Sequence, residues 1–368
     1  MFSLSKQKTI VGLDIEAGSV AATEIRFNGQ ADLAGYGTLP LAPGIFREGE
    51  VSDPAGLADA LKELFAEHKL SKNVRLGIAN QRVAVRTIHL PALDDPAELE
   101  AAIRFQAQEH IPMPLDQAVL DWHVLGAHTS ESGHQTVEVV VVAGRRDMLG
   151  GAVEALRAAG LRTVGIDHSA FGMIRALTSS SRVPVGAGEY VEAPLPQQPA
   201  DAPAVGAKLY CNLGDVTNLA VARGPDCLFA RMAAFGIEGI AQKIAERKSL
   251  TLEHARQWLH HVGLTDPLES VEGDPEIMKT VREALTEGAA KLGDELRMSL
   301  EFYRQQEGAL QIDGVVACGA GTAIPGLVER VAVELGQPFE IGRPAALSRL
   351  GEAAASRLTL SYGLALEE

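Results

Sequence analysis

Two short turns, each directly after a predicted buried strand, carry residues that could bind phosphate. They read DIEAGS at residues 14–19 and NLGDVT at residues 212–217. Backbone N–H groups in such turns donate to phosphate oxygens, and glycine or serine lets the chain approach a ligand closely. The two turns therefore predict two phosphate-binding segments. Their candidate residues are Asp14, Gly18, Ser19, Asn212, Gly214 and Thr217.

A third glycine-rich turn contains Gly319 and Gly321 and lies between a predicted strand and a predicted helix. The start of that helix could face a sugar or an α-phosphate, because its N–H groups point towards a ligand. Gly236 precedes another predicted helix and enters the candidate set only through the family resemblance described below. A tight turn without a ligand explains each motif taken alone. The order and spacing of the three turns predict a nucleoside triphosphate held from two sides.

The elements that must position these turns form a pattern that occurs twice. A strand, a turn of small residues and two further strands are predicted near residue 10 and again near residue 210. The proline-rich segment 183–206 separates the two copies, and its composition favours a flexible connector over a structured loop. The sequence therefore predicts a duplicated α/β protein with two halves.

The composition argues against several classes of function. There are 33 Lys and Arg residues against 48 Asp and Glu residues, which gives a net charge of −15. Such a charge argues against nucleic-acid binding and against a polybasic membrane surface. No apolar run reaches the roughly 18 residues of a membrane span, and the 3 cysteines are too sparse for a disulfide scaffold. We expect a cytoplasmic protein that reaches a membrane only through a partner.

Four segments resemble the PilM family, the actin-like proteins of bacterial type IV pilus assembly. The segment Ala101–Leu125 is the most specific, because the wider superfamily of FtsA, actin, heat-shock ATPases and sugar kinases lacks it. The resemblance implies an actin-like (ribonuclease H-like) duplicated α/β fold with an FtsA-type 1C insertion subdomain. The segments are VGLDIEAGSVAATEI (11–25), AAIRFQAQEHIPMPLDQAVLDWHVL (Ala101–Leu125), ELRMSLEFYRQQ (Glu295–Gln306) and VVACGAGTAIPGLVERVAVELGQPFE (Val315–Glu340).

The resemblance also implies a division into subdomains. ATP would lie in the cleft between the two halves. The implied ranges are 1A (1–38 and 160–182), 1C (39–159), a connector (183–206), 2A (207–248 and 311–346), 2B (249–310) and a C-terminal helix returning to 1A (347–368).

The family resemblance implies a cofactor and partners. ATP would bind with Mg²⁺, which Asp14 and Asn212 would orient through water, while Glu295, Arg297 and Ser299 would present a helix to the adenosine. The implied partner is the N-terminal cytoplasmic tail of a PilN-like membrane protein, bound in a groove between 1A and 1C. Other inner-membrane pilus components and motor ATPases are further implied partners. The protein would then be peripheral at the inner face of the cell membrane.

Several positions depart from the family pattern. Glu16 replaces a glycine, Ala21 replaces a lysine and Asn212 replaces an aspartate. A carboxylate repels phosphate, and the loss of lysine removes a cation, so we expect a degenerate ATP site with weak or lost ATPase activity and no catalytic residue. One alternative is an active superfamily ATPase or small-molecule kinase. Another is an FtsA-like membrane-associated filament protein.

Overall fold

The computed structural model describes residues 8–93, 95–129, 135–178, 206–306 and 308–366. All but the last residue of the predicted connector 183–206 lie outside these ranges. The described strands are β1 (Lys8–Ile15), β2 (Ser19–Phe27), β3 (Ala31–Pro40), β4 (Phe46–Arg47), β5 (Glu50–Val51), β6 (Asn73–Ile78), β7 (Val83–Pro91), β8 (Ala118–Thr129), β9 (Gln135–Arg145), β10 (Arg162–His168), β11 (Ala207–Leu213), β12 (Thr217–Arg223), β13 (Asp226–Ala233), β14 (Ile312–Cys318) and β15 (Phe339–Ile341). The described α-helices are α1 (Pro54–Glu67), α2 (Pro96–His110), α3 (Arg146–Ala158), α4 (Ser169–Thr178), α5 (Ile237–Lys248), α6 (Leu252–Val262), α7 (Pro275–Arg304), α8 (Leu327–Leu335) and α9 (Glu352–Ala365).

Two five-stranded sheets have the same topology. The strand order is β3–β2–β1–β6–β10 in the first lobe and β13–β12–β11–β14–β15 in the second lobe. In each lobe the first three strands in chain order form an antiparallel meander. The free edge of the first strand then pairs with a parallel strand, β6 on β1 and β14 on β11. The duplication predicted from the sequence is therefore confirmed, and the first and second turns lie at equivalent places.

Helices cover the sheets and build the apolar cores. In the first lobe α1 and α3 pack on the sheet through residues such as Leu57, Leu61 and Leu156, all fully buried. In the second lobe α5, α6, α7 and α8 form the largest core. Asp53 caps α1 by accepting from the Gly56 N–H, and Asp274 caps the long helix α7 in the same way. These helices pack in the same cores as β1, β2, β11 and β12, the strands that carry the two turns.

Two helices, α4 and α9, cross between the lobes. Gly172 of α4 and Gly363 of α9 meet there, and a Cβ atom added at Gly363 would lie 1.8 Å from the Gly172 carbonyl oxygen. Arg175 of α4 donates to the Gly363 carbonyl at 3.0 Å. The helix α9 also lies on β1, where a Cβ at Gly12 would be 2.0 Å from the Ser361 carbonyl oxygen. The backbone contact brings α9 side chains close to the first turn.

A separate three-stranded sheet in the order β7–β9–β8 forms a core with α2. The resemblance implied that residues 39–159 form the 1C insertion, but the structure divides that range. The helices α1 and α3 pack on the first-lobe sheet, and β6 pairs with β1 and β10 inside it. Of the described residues in that range, β7, α2, β8 and β9 form the separate sheet and its helix. The expected boundaries of 1C are therefore too wide, because β6 completes the first sheet.

Candidate functional site

The first turn (residues 14–19) is bound by an arginine from the last helix. Asp14 is buried at the end of β1, and its carboxylate forms an ion pair with the Arg357 guanidinium from α9. Arg357 Nε donates to the Ser19 hydroxyl at 2.8 Å, and Nη2 donates to the Ser19 carbonyl at 2.9 Å. The Nε atom also lies 3.4 Å from Glu16 Oε2. One guanidinium thus joins both ends of the turn and a residue between them.

The first turn and the second turn (residues 212–217) contact each other directly. The Gly18 N–H donates to Asp215 Oδ2 at 2.8 Å. In the opposite direction, the Asp215 N–H donates to Glu16 Oε1 at 3.3 Å. Each turn therefore supplies an N–H group to a carboxylate of the other lobe.

The contact between the turns concentrates buried negative charge. Burial raises the pKa of Glu16 to about 8 and also raises the pKa of Asp14. The Arg357 charge opposes both pKa increases, whereas the Asp215 charge adds to them by repulsion. The carboxyl groups therefore favour holding a proton more strongly than exposed ones do.

The start of α5 packs on the second turn. The Ile237 N–H donates to the Gly214 carbonyl at 2.9 Å, and a Cβ at Gly236 would lie 2.4 Å from the same oxygen. In the first turn of α5, Glu238 accepts two hydrogen bonds from Arg256 of α6, at 2.6 and 2.8 Å. This pair lies beside the interlobe contact and places a second guanidinium there.

The third turn (residues 318–322) packs on the end of β11. Asn212 is buried, and its Nδ2 atom has no hydrogen-bond partner within the described part of the chain. Gly319 has a φ of 90°, and a Cβ there would lie 2.2 Å from Asn212 Oδ1, so only glycine fits. Gly321 also packs on β11. The Thr217 hydroxyl donates to the Phe235 carbonyl at 2.8 Å, which engages it within its own lobe.

Two of the three candidates on α7, Arg297 and Ser299, bind other groups. Arg297 forms an ion pair with Asp294 one turn earlier in the helix. The buried Ser299 hydroxyl donates to the Glu295 carbonyl at 2.7 Å and accepts from Arg231 at 3.3 Å. None of the α7 candidates lines the cavity between the lobes. The structure thus brings together the candidates of the three turns and Gly236, and leaves those of α7 apart.

A cavity of about 410 Å³ opens beside the contact between the turns. The first lobe contributes residues 14–17, 43–44 and 46–49 to its lining, and the second lobe contributes Asp215, Glu238 and Arg256. Asn218 also lines it with a buried Oδ1 atom that has no hydrogen-bond partner among the described residues. The cavity therefore lies between the lobes and is lined by both charged and apolar residues.

Comparison with known proteins identifies the family. The sequence profile described as type IV pilus assembly protein PilM matches residues 12–368. The chain belongs to the PilM family. A solved PilM–PilN type IV pilus biogenesis complex is similar to it at 27% identity and a TM-score of 0.75, with 97% of each chain covered.

More distant structures share the fold of this PilM-family chain. Ethanolamine utilization protein EutJ from Carboxydothermus hydrogenoformans is 14% identical with a TM-score of 0.53, over 98% of this chain and 89% of that chain. MreB5 of Spiroplasma citri bound to AMPPNP is 14% identical with a TM-score of 0.50, over 97% and 94% of the two chains. These similarities show the fold alone, and that fold is actin-like, as the family resemblance implied.

The residues present do not fit a triphosphate with Mg²⁺ in this arrangement. The Asp14 carboxylate pairs with Arg357, and the Gly18 and Asp215 N–H groups donate to carboxylates rather than to an open space. With a triphosphate, Mg²⁺ is held by one or two carboxylates, by waters and by the phosphates themselves. Of the two predicted ligands, Asp14 is already paired with Arg357 and therefore does not face the ion freely.

Sequence reasoning missed Arg357, which binds Asp14 and Ser19 at the first turn. A signal was present, because Arg357 lies in an otherwise small and apolar stretch of α9. A buried arginine is stable only beside carboxylates or other acceptors. The acidic residues of the two turns, Asp14, Glu16 and Asp215, are the acceptors that such an arginine would require.

A groove of about 750 Å³ lies where β7 of the separate sheet approaches β13 of the second lobe. Each of these strands is at the edge of its sheet, and Thr87 donates to the Leu228 carbonyl at 3.2 Å where they meet. Residues 112–114 border the groove, which touches the first lobe only near residues 80–82. The segment expected beside a groove between 1A and 1C therefore faces the second lobe as well.

Proposed function

We propose that this PilM-family protein is an actin-like cytoplasmic scaffold of the type IV pilus inner-membrane complex. It binds the N-terminal tail of a PilN-like membrane protein, and its ATP site is degenerate. The observation that carries this proposal is the similarity to a PilM–PilN complex over 97% of both chains. No helix in the described part of the chain is long and apolar enough to cross a bilayer. Attachment to the inner face of the membrane would come from the partner.

The groove between β7 and β13 supports the binding of an extended peptide. Met113, Met232 and Phe302 give it apolar walls. Arg86 and Arg231 line it too, and their guanidinium groups are donors suited to the carbonyl oxygens of a peptide. An extended tail could pair with a strand edge through its backbone and place alternate side chains in the apolar part.

Because Arg357 occupies the first turn, we favour a scaffold over an ATPase or a kinase. Phosphoryl transfer needs turn amides and cations that are open to the phosphates. In this chain Gly18, Asp215 and Arg357 already bind carboxylates. Contacts with further inner-membrane components or motor ATPases would extend the scaffold and are part of the same proposal.

A titration tests the proposed partner. A fluorescent peptide copying the N-terminal tail of the PilN-like protein from the same organism is added to the full chain, and its anisotropy is measured. We expect saturable binding that Phe302→Ala weakens by about tenfold, since truncating an aromatic contact in an interface costs about 1–2 kcal/mol. Phe302 is 48% exposed and lines the groove, so the fold should tolerate its truncation.

Phe105→Ala is the matched control. Phe105 is 67% exposed on α2 and does not line the groove. Its truncation should leave the peptide affinity unchanged. A wild-type chain that shows no saturation would contradict the partner, and an equal loss in both variants would contradict this groove as the binding site.

A further inference from the structure

The two turns that resemble phosphate-binding segments bind each other. Asp215 of the second lobe accepts from the Gly18 N–H at 2.8 Å, and Glu16 of the first lobe accepts from the Asp215 N–H at 3.3 Å. Carboxylate oxygens and phosphate oxygens are both anionic acceptors, and backbone N–H groups in turns bind either. The side-chain oxygens of Glu16 and Asp215 therefore accept from N–H groups that could otherwise donate to the oxygens of a ligand.

Two guanidinium groups flank this pair of carboxylates. Arg357 lies on the side of the first lobe, with Nε 3.4 Å from Glu16 Oε2 and an ion pair to Asp14. Arg256 lies on the side of the second lobe, where a Cβ atom added at Gly18 would be 2.9 Å from its Cζ atom. Part of the negative charge around the turns is thus offset by Arg357, while Arg256 pairs with Glu238 beside them.

The glycines of the turns serve this contact. A Cβ at Gly214 would lie 2.0 Å from Glu16 Oε1, so a side chain there would push the glutamate away. A Cβ at Gly18 would meet Arg256. In this chain the missing side chains make room for the opposing charged groups, Glu16 at Gly214 and Arg256 at Gly18.

We propose that Glu16 and Asp215 form an internal latch, in which each carboxylate binds the turn of the opposite lobe and holds the cleft closed without a nucleotide. The inference rests on the degenerate ATP site of the proposed function, and it names Glu16 and Asp215 as the side chains that occupy that site. It is independent of peptide binding, because neither turn lines the groove between β7 and β13. The bonds lie at the lobe junction, so breaking either one should loosen both turns.

Amide hydrogen exchange of the full chain, measured at the turn residues, tests the latch. In Glu16→Ala we expect exchange at the Gly18 amide to accelerate at least tenfold, although its own acceptor Asp215 remains. In Asp215→Ala we expect the same acceleration at the amide of residue 215, although Glu16 remains. Two independent local hydrogen bonds would instead accelerate only the amide that lost its acceptor, and that outcome would overturn the latch.

Conservative variants guard against a general loss of folding. Glu16→Gln and Asp215→Asn keep an oxygen acceptor and should retain most of the protection. Glu63→Ala, which removes an exposed carboxylate on α1, should change neither turn. Adding inorganic pyrophosphate to the double variant Glu16→Ala/Asp215→Ala should restore protection at both amides and leave the wild type unchanged. Failure of pyrophosphate to protect the double variant would show that the carboxylates do not stand in for an anionic ligand.

Discussion

The Arg357 guanidinium binds the carboxylates of the first turn, so these groups are not free to bind a ligand. Arg357 neutralises part of a buried group of carboxylates that would otherwise repel one another, and it does so from the last helix rather than from the turn itself. Removing one partner from such a group leaves the others buried and uncompensated, which destabilises the fold strongly. The residues Asp14, Glu16 and Asp215 are therefore best understood as one electrostatic unit with Arg357.

The raised pKa of Glu16 predicts a pH dependence of stability. Between the ordinary glutamate pKa and about 8, the folded chain retains a proton that the unfolded chain has released. Its stability therefore falls as the pH rises through that window, and the sign is opposite to that of a salt-bridged carboxylate. Glu16→Gln cannot titrate, so relative to the wild type it should gain about 1 kcal/mol for each pH unit within the window.

Denaturant unfolding between about pH 5 and pH 8 measures this difference. Some dependence on pH should remain in Glu16→Gln, because burial also raises the pKa of Asp14, and Arg357 and Asp215 still face it. Glu63→Gln on the exposed face of α1 is the control and should follow the wild type. Identical pH profiles for Glu16→Gln and the wild type would contradict a raised pKa at this residue.

At the scale of elements, local patterns predicted the strand–turn–strand units well. The alternation and turn residues near 10 and 210 are local features, and they led to the duplicated topology. The range of the 1C insertion was wrong because β6 joins β1 across about sixty residues, and no local pattern records that pairing. Arg357 was missed for the same reason, since its acceptors lie at the other end of the sequence.

At the crossing of α4 and α9, we expect one added methyl group to destabilise the fold. In Gly363→Ala the new Cβ would lie 1.8 Å from the Gly172 carbonyl oxygen, so the helices must separate. We expect a loss of about 1–3 kcal/mol in the free energy of unfolding, which is typical of overpacking. Chemical denaturation of the two proteins under the same conditions measures it.

Gly150→Ala is the matched control for this crossing. Gly150 lies on the exposed side of α3, and a Cβ there would meet nothing within 4 Å. Alanine stabilises helix interiors relative to glycine, so this variant should gain roughly 0.5–1 kcal/mol. Equal effects of the two substitutions would mean that helix propensity, and not the α4–α9 contact, sets the cost.

At the scale of the molecule, the proposed peptide groove and the cleft between the turns are separate. The groove lies between the three-stranded sheet and the second lobe, whereas the cleft is lined by both lobes near the turns. In an actin-like protein that works by a nucleotide cycle, ligand binding in the cleft would change the affinity elsewhere, and the coupling would be reciprocal. A cleft held closed by internal bonds would carry no such signal.

The affinity for the PilN-like tail should therefore be independent of ATP. We expect the dissociation constant of the fluorescent tail peptide to change less than about twofold on addition of about 5 mM Mg-ATP, because a ligand that does not bind cannot shift an equilibrium. The matched variant is Glu16→Ala/Asp215→Ala, in which the turn amides are free beside Arg357 and Arg256. If Mg-ATP changed the affinity of the wild type by fivefold or more, the cleft would bind nucleotide and communicate with the groove, and the scaffold would have to be understood as a nucleotide-dependent one.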